Sequence, residues 1–352
     1  MKKLLILALV LVALVAFMTA CDNNLAMCLP TQLASIQENL NAYDVRFYLL
    51  HHRIEPNNIE MIKRYAEECE CITFSEVVIE DVSPYKYLSK WGGAWAYETY
   101  MRLDGFNLLP EDLDRVLWID SGDVIIDGDI AEFYFGDFDG MSMLATWGLW
   151  NRVRESLANG YKPYEKSDFS DPVRLSEIAG GVINAGVALM NLSKIRGSGI
   201  DSYIQIADGL RRINSNTDAK MHYTADQGLM SVNFLEDIKY FGYPQISDPV
   251  YAPYNFTPAH YLLGRDITYT PVILHYTGVT GMVKPYSLRY NPRTVEAYTT
   301  IQTEWFFYSP EYHNMVETWW KYCEKTPVYN ELNHTAMTAG KIVEKHFLPM
   351  FM

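Results

Sequence analysis

Residues 14–24 read LVAFMTACDNN, and two folds compete for them. In the first reading, Lys2 and Lys3 followed by the apolar run 4–17 form a secretory signal, and Met18-Thr19-Ala20-Cys21 resembles a bacterial lipoprotein cleavage box. In the second, residues 14–20 are a buried parallel strand, which also shows as a continuous apolar run. The readings exclude each other, because cleavage at Cys21 would remove the strand. Keeping the strand in the fold leaves residues 4–13 for a membrane, about half of the ~20 needed to span it. The residues after Cys21 favour the strand. Asp22-Asn23-Asn24 is a polar turn, and residues 33–40 begin an amphipathic helix with Ser35 and Gln37 interspersed. Strand, polar loop and helix in that order open a nucleotide-binding α/β domain.

The pattern continues outward from this opening. Residues 45–50 (VRFYLL) predict a second strand, and 57–68 a helix with Ile59, Ile62 and Ala66 near one face. Residues 72–74 and 77–79 predict a third strand and its continuation. Residues 97–103 predict a helix carrying Arg102. Residues 115–119 (RVLWI) are a short buried strand that runs into Asp120-Ser121-Gly122-Asp123. Strands alternating with helices predict a mostly parallel sheet with helices on both faces. Ligands bind such sheets at the carboxyl ends of strands, where Asp22 and Asp120 fall. Further along, 151–171 reads as an inserted loop or lid. Residues 180–192 (GGVINAGVALMNL) are apolar and glycine-rich, 223–233 predict a helix bearing Asp226 and Gln227, and 271–274 predict a strand ending at His275.

Composition narrows the function. The 352 residues are 49% hydrophobic and 20% charged, enough for a large core, with a net charge of −14. An acidic chain suits neither nucleic acid nor a polybasic membrane tail, since both need Lys and Arg. An anionic substrate would need a local site that overcomes this field, and a bound cation would do so. The 26 Tyr offer rings with polar tips that suit sugar faces, although core filling accounts for most such rings. Five Cys, an odd number without regular spacing, argue against a disulfide scaffold, and Cys69-x-Cys71 is too tight for a usual zinc pair.

Few residues promise chemistry. Asp120 and Asp123, just past a buried strand, can hold Mg²⁺ or Mn²⁺, which prefer oxygen ligands; a solvated turn has the same composition. His275 at another strand end can add a nitrogen ligand. Gly278 would let backbone approach a phosphate, and Lys284 would neutralise its charge. The amides of Asn184 and Gln227 lie in apolar company and need partners, in the protein or on a ligand. No G-x-S-x-G, P-loop or H-E-x-x-H motif competes.

Together these segments resemble glycosyltransferase family 8, the retaining family that includes bacterial lipopolysaccharide hexosyltransferases and glycogenin. Six segments stand in the family's order: 20–24 with 33–36, Tyr100-Met101-Arg102, 116–134 (VLWIDSGDVIIDGDIAEFY), 183–187, Asp226-Gln227, and 275–285. The resemblance implies a GT-A nucleotide-diphospho-sugar transferase fold with a Rossmann-like sheet over 14–286; residues 287–352 match the family poorly and read as a helical, aromatic-rich extension, and 1–13 as a hydrophobic extension or part of a signal-like segment. It implies that Asp22 and Asn24 hold the uracil and ribose side of a UDP-hexose and that Arg102 contacts the donor. Asp120, Asp123 and His275 would bind Mn²⁺ (or Mg²⁺), and Gly278 and Lys284 the diphosphate. Asn184, Asp226 and Gln227 would line the sugar pocket, with Gln227 beneath the anomeric carbon.

The chain departs from the family pattern twice. Ser121 and Gly122 separate the two aspartates where the family has one residue, and Ala145-Thr146-Trp147-Gly148 lacks the carboxylate expected near the sugar hydroxyls. The expected function is hexose transfer from UDP-glucose or UDP-galactose to a glycan or glycolipid acceptor, in the cytoplasm or at the inner face of the membrane, with peripheral membrane association. The alternatives are a catalytically impaired sugar-nucleotide-binding relative and a glycan-binding lipoprotein anchored through Cys21.

Overall fold

A computed structural model describes residues 12–89, 96–147, 164–197, 225–240, 253–257, 270–277, 284–287 and 310–346. Its main sheet has seven strands in the order β3-β2-β1-β4-β7-β6-β8. They are β1 (Leu14–Ala20), β2 (Asp44–His51), β3 (Ile72–Val78), β4 (Arg115–Ile119), β6 (Met143–Trp147), β7 (Ile183–Asn191) and β8 (Ile238–Tyr240). A small second sheet pairs β5 (Val124–Ile126) with β9 (Ile273–His275) in antiparallel fashion. The helices are α1 (Leu29–Asn39), α2 (Pro56–Glu68), α3 (Ser83–Ser89), α4 (Ala131–Tyr134), α5 (Pro172–Ala179), α6 (Leu192–Gly197), α7 (Ala225–Phe234), α8 (Pro310–Cys323) and α9 (Tyr329–His346).

The apolar run 14–20 is β1, which lies between β2 and β4 and parallel to both. Its apolar character, broken only by Thr19, has a plain cause. A strand's side chains alternate between faces, so a strand covered on both faces is mostly apolar, and the buried Thr19 hydroxyl is satisfied by the Ile119 carbonyl at 2.7 Å. Val15 and Phe17 enter one core, with α1, α2, α4, α8 and α9. Ala16 and Met18 enter the other, with α3, α5, α6, α7 and the 3-10 segment Tyr97–Leu103. The same split runs through β4, where Leu117 and Ile119 face the first core and Val116 and Trp118 the second.

The sheet is mostly parallel, with one strand reversed: β7 runs antiparallel to both β4 and β6. The two predicted pieces of the third strand, 72–74 and 77–79, form one element, β3, which ends at Val78. Helix α1 starts four residues earlier than its amphipathic pattern suggests, at Leu29, with Pro30 in its first turn where no backbone N–H is needed. Asp22 prepares that start. Its carboxylate accepts from the backbone N–H groups of Asn24 and Leu25, both at 3.0 Å.

Strand order reverses beside β1. From β1 the chain proceeds to β2 and β3 on one side, then returns to β4 on the other. The Met18↔Trp118 register brings the carboxyl ends of β1 and β4 together, opening the crevice in which such folds bind ligands. Thr19 and Ser121 stitch the two ends with a 2.7 Å hydroxyl contact, and Ser121 donates to the Ala20 carbonyl. The aromatic helix α8 docks on α1, with Trp319, Trp320 and Tyr322 fully buried in the first core. Among the described residues no helix is long and apolar enough to cross a membrane.

Candidate active site

Five elements deliver side chains to the crevice. Strand β4 ends at Ile119 and releases Asp120, whose backbone N–H donates to the Gly186 carbonyl at 2.9 Å. The turn then crosses to β5 through Gly122, at φ +69°. This left-handed value favours glycine, and an added Cβ would also sit 2.7 Å from Cys28 Cβ. The turn's carbonyls are tied down in turn. Gln32 Nε2 donates to Asp120 O at 2.9 Å and Val124 O at 3.0 Å. The Trp319 indole donates to Gly122 O at 3.0 Å, and the Tyr276 N–H to Asp123 O at 2.7 Å. The extra residue between the aspartates is thus held in one shape by α1, α8 and β9.

Asp120 and Asp226 share one arginine. Arg102, carried by the 3-10 segment, donates to Asp120 Oδ1 at 2.7 Å and pairs with Asp226 Oδ2 at 2.9 Å. It also donates to the Ala185 carbonyl at 2.6 Å and lies 4.5 Å above the Trp118 ring. Burial alone would push the Asp120 carboxyl up. The Arg102 guanidinium, with the Trp118 indole, outweighs it and holds the group well below the usual carboxylate range. Burial pushes Asp226 up to about 6 against the pull of Arg102, and the Asp120 charge adds to the rise. Two carboxylates on one cation are therefore driven apart in acidity.

His275 closes the other side. Its Nε2 lies 3.5 Å from Asp120 Oδ2, and its Nδ1 meets Asn255 Oδ1 at 2.9 Å. Gly186 makes this approach possible, since a Cβ there would stand 2.0 Å from His275 Cε1 and 2.6 Å from Asp120 Oδ2. Gly181, at φ +94°, plays the same part for Gln227, whose Nε2 would lie 2.4 Å from an added Cβ. Gln227 Oε1 accepts from the Ala185 N–H at 3.3 Å. The pairing of β6 with β7 skips from Ala145↔Ala188 to Thr146↔Asn184, so residues 185–187 bulge beside the site.

Asp123 stands apart from this group. Lys284 Nζ binds its Oδ2, and the Tyr286 hydroxyl donates to its Oδ1 at 3.0 Å. Asp22 and Asn24 pair with one another at the end of β1, Asn24 Nδ2 donating to Asp22 Oδ2 at 2.8 Å. Asn184 Oδ1 accepts from Gly186 N–H at 3.2 Å and from Asn255 Nδ2 at 3.1 Å. Gly278 lies outside the described residues, as does most of the predicted lid. The structure therefore brings Arg102, Asp120, Asn184, Asp226, Gln227 and His275 into one cluster, with Asp123 and Lys284 paired across the turn. Asn255 and Tyr286 belong to the site but carry no signal of it in the sequence, because each acts through a partner distant in the chain.

The donor set can be tested against a divalent cation. Asp120 Oδ2 and His275 Nε2 are spaced like neighbouring ligands of one ion, which stand about 3 Å apart when each is ~2.1 Å from the metal. Among the described residues no third His, Cys, Asp or Glu joins them. The Asp120 side chain is 28% exposed, so a ligand can reach it.

The profile of glycosyl transferase family 8 matches residues 17–287. No curated protein matches the chain. Among solved structures, the fold is similar to an active-site mutant of LgtC, at 18% identity and a TM-score of 0.57. It is also similar to the galactosyltransferase LgtC in complex with donor and acceptor sugar analogs, at 19% identity and a TM-score of 0.56. Both alignments cover 77% of this chain and 89% of LgtC. The glycosyltransferase GlyE of Streptococcus pneumoniae TIGR4 matches at 17% identity and a TM-score of 0.54, covering 92% of this chain and 63% of GlyE. At such identities the solved structures speak for the fold, while the profile, spanning most of the chain, speaks for descent. The chain belongs to glycosyl transferase family 8 and is a glycosyltransferase with the GT-A fold.

Proposed function

We propose that this glycosyltransferase moves a hexose, glucose or galactose, from a UDP-sugar to a glycan or glycolipid acceptor in surface polysaccharide or lipopolysaccharide synthesis, with retention of anomeric configuration. The observation that carries the reading is the junction of Asp120 Oδ2 and His275 Nε2 beside the Arg102–Asp226–Gln227 cluster, at the crevice where β1 and β4 end. Asp120 and His275, joined by Asp123, would hold Mn²⁺ or Mg²⁺. Bound there, the cation would neutralise charge on the departing diphosphate.

The chain's own residues would do the rest. Lys284 carries a flexible positive charge next to the turn and would exchange Asp123 for phosphate oxygens as that charge develops. Asp22 and Asn24, at the end of β1, would take the nucleoside side. Asp226, neutral or charged around pH 6, and the Gln227 amide would flank the sugar carbon as it gains positive character. Arg102 is held by Asp120, Asp226 and the Ala185 carbonyl, so it positions both carboxylates. A cytoplasmic location agrees with the burial of β1 and Cys21, because cleavage before Cys21 would remove a strand from the middle of the sheet.

The engagement of Asp123 by Lys284 and Tyr286 favours a second reading, a sugar-nucleotide-binding relative with impaired turnover. Release of UDP from a panel of UDP-sugars, with and without Mn²⁺, separates the two. Metal-dependent release from one sugar, lost in Asp123→Ala, is the expected result. Binding of UDP without metal-dependent release would replace the first reading with the second.

A further inference from the structure

Asn255 carries no signal of function in the sequence, yet it is 2% exposed and touches three residues of the site. Its amide orientation is fixed by its neighbours. Asn184 Oδ1 accepts the Gly186 N–H at 3.2 Å, so it is an acceptor. The group of Asn255 that lies 3.1 Å from it must then be the NH₂, which also reaches Thr146 Oγ1 at 2.6 Å. That turns the Asn255 carbonyl toward His275 Nδ1, at 2.9 Å. A carbonyl oxygen accepts only, so the ring nitrogen facing it must carry a proton. The opposite nitrogen, Nε2, is then the one with a free lone pair in the neutral ring. It points at Asp120 Oδ2, a second acceptor 3.5 Å away. Two lone pairs facing one another at that spacing are repulsive alone and attractive around a shared cation.

We propose that Asn255 is a positioning residue that locks His275 as the Nδ1–H tautomer and so presents a bare Nε2 beside Asp120 to a divalent cation. Metal-ligating histidines commonly have their second nitrogen fixed in this way. The arrangement is relayed from the bulge: Gly186 orients Asn184, Asn184 orients Asn255, and Asn255 orients the ring. The backbone supports it too, since the His275 N–H donates to Phe256 O and the Phe256 N–H to Ile273 O, both at 2.8 Å. This inference rests on the metal-binding part of the proposed function and deepens it.

The test uses the full chain without metal, labelled with ¹⁵N-histidine under alkaline conditions, with the His275 resonances assigned by comparison with His275→Gln. The expected spectrum shows Nδ1 protonated and Nε2 bare. In Asn255→Leu the proton moves to Nε2, where Asp120 Oδ2 accepts it, and Mn²⁺ affinity by equilibrium dialysis falls roughly ten- to a hundredfold. Asn255→Asp keeps an acceptor for Nδ1–H and therefore keeps the tautomer and most of the affinity. If Asn255→Leu does not fold, the wild-type and Asn255→Asp spectra still decide the matter. A wild-type ring with its proton on Nε2, or an Asn255→Leu protein with unchanged tautomer and Mn²⁺ affinity, overturns the proposal. A wild type that binds no Mn²⁺ overturns it together with metal dependence. Correct tautomers and Mn²⁺ binding without UDP-sugar turnover would sink the proposed activity and leave this inference standing.

Discussion

The two ends of the Asp120–Asp123 turn carry the same functional group in opposite settings. Asp120 faces Arg102, whose side chain is 5% exposed, lies over Trp118 and has Asp226 on its other flank. Asp123 faces Lys284, which is 21% exposed and sits on a flexible stem, and Tyr286. A buried guanidinium fork shared between two carboxylates is part of the core. An ammonium point charge on a mobile chain can change partners. One end of the turn is thus paired with a buried cation, and the other with a more exposed charge on a flexible stem.

Removing the fixed cation should have the largest effect. Arg102→Met leaves Asp120 and Asp226 buried without their counter-charge, and denaturant unfolding is expected to show a loss of about 3–5 kcal/mol. A variant as stable as the wild type would mean that the two ends of the turn do not differ in this way. Gly186→Ala comes next. Its Cβ would collide with His275 and Asp120, costing about 1–3 kcal/mol in overpacking and abolishing detectable Mn²⁺ binding. Retained Mn²⁺ binding would show that the cation does not sit between those two groups.

At the exchangeable end, Lys284→Met should leave thermal stability nearly unchanged while raising the KM for the donor more than tenfold, the effect of losing a charged hydrogen bond of about 1.5–3 kcal/mol. A large drop in melting temperature would instead place Lys284 with Arg102 as a structural cation. Acidity sharpens the comparison further. The folded chain holds the Asp226 proton up to about pH 6, above the unfolded value of about 3.9. Its contribution to stability is therefore complete below the unfolded value and declines as pH rises through about 6. In Asp226→Asn that decline should disappear from unfolding free energies measured across the same window. The smallest effect belongs to Ala225, at φ +42° just before Asp226. Ala225→Gly should relieve left-handed strain of about 1–2 kcal/mol less the entropy of glycine, raising the melting temperature slightly.

Much of this site could be seen in the sequence because strand ends advertise themselves. The run 115–119 into Asp120 and the short strand into His275 mark places where an apolar element stops and a polar group emerges. Arg102 and Asp226 were visible as site residues only as members of a familiar order of segments. Nothing near Asn255 in the chain announces it; its role exists because residues 253–257 lie along β9 and reach Asn184 and Thr146, both more than seventy residues away. The C-terminal aromatics were legible as a packed helix, yet the indole of Trp319 on the Gly122 carbonyl was not.

By itself the sequence determined which segments could be buried on two faces, where they end, and which ionisable groups sit at those ends, because side-chain alternation and turn chemistry are local. Only the tertiary structure decided that β7 runs backwards, that Arg102 serves Asp120 and Asp226 together, and that Lys284 holds Asp123. These are contacts between groups far apart in the chain. Their strength depends on burial and on the competition among neighbours for each proton and lone pair, which no local pattern records.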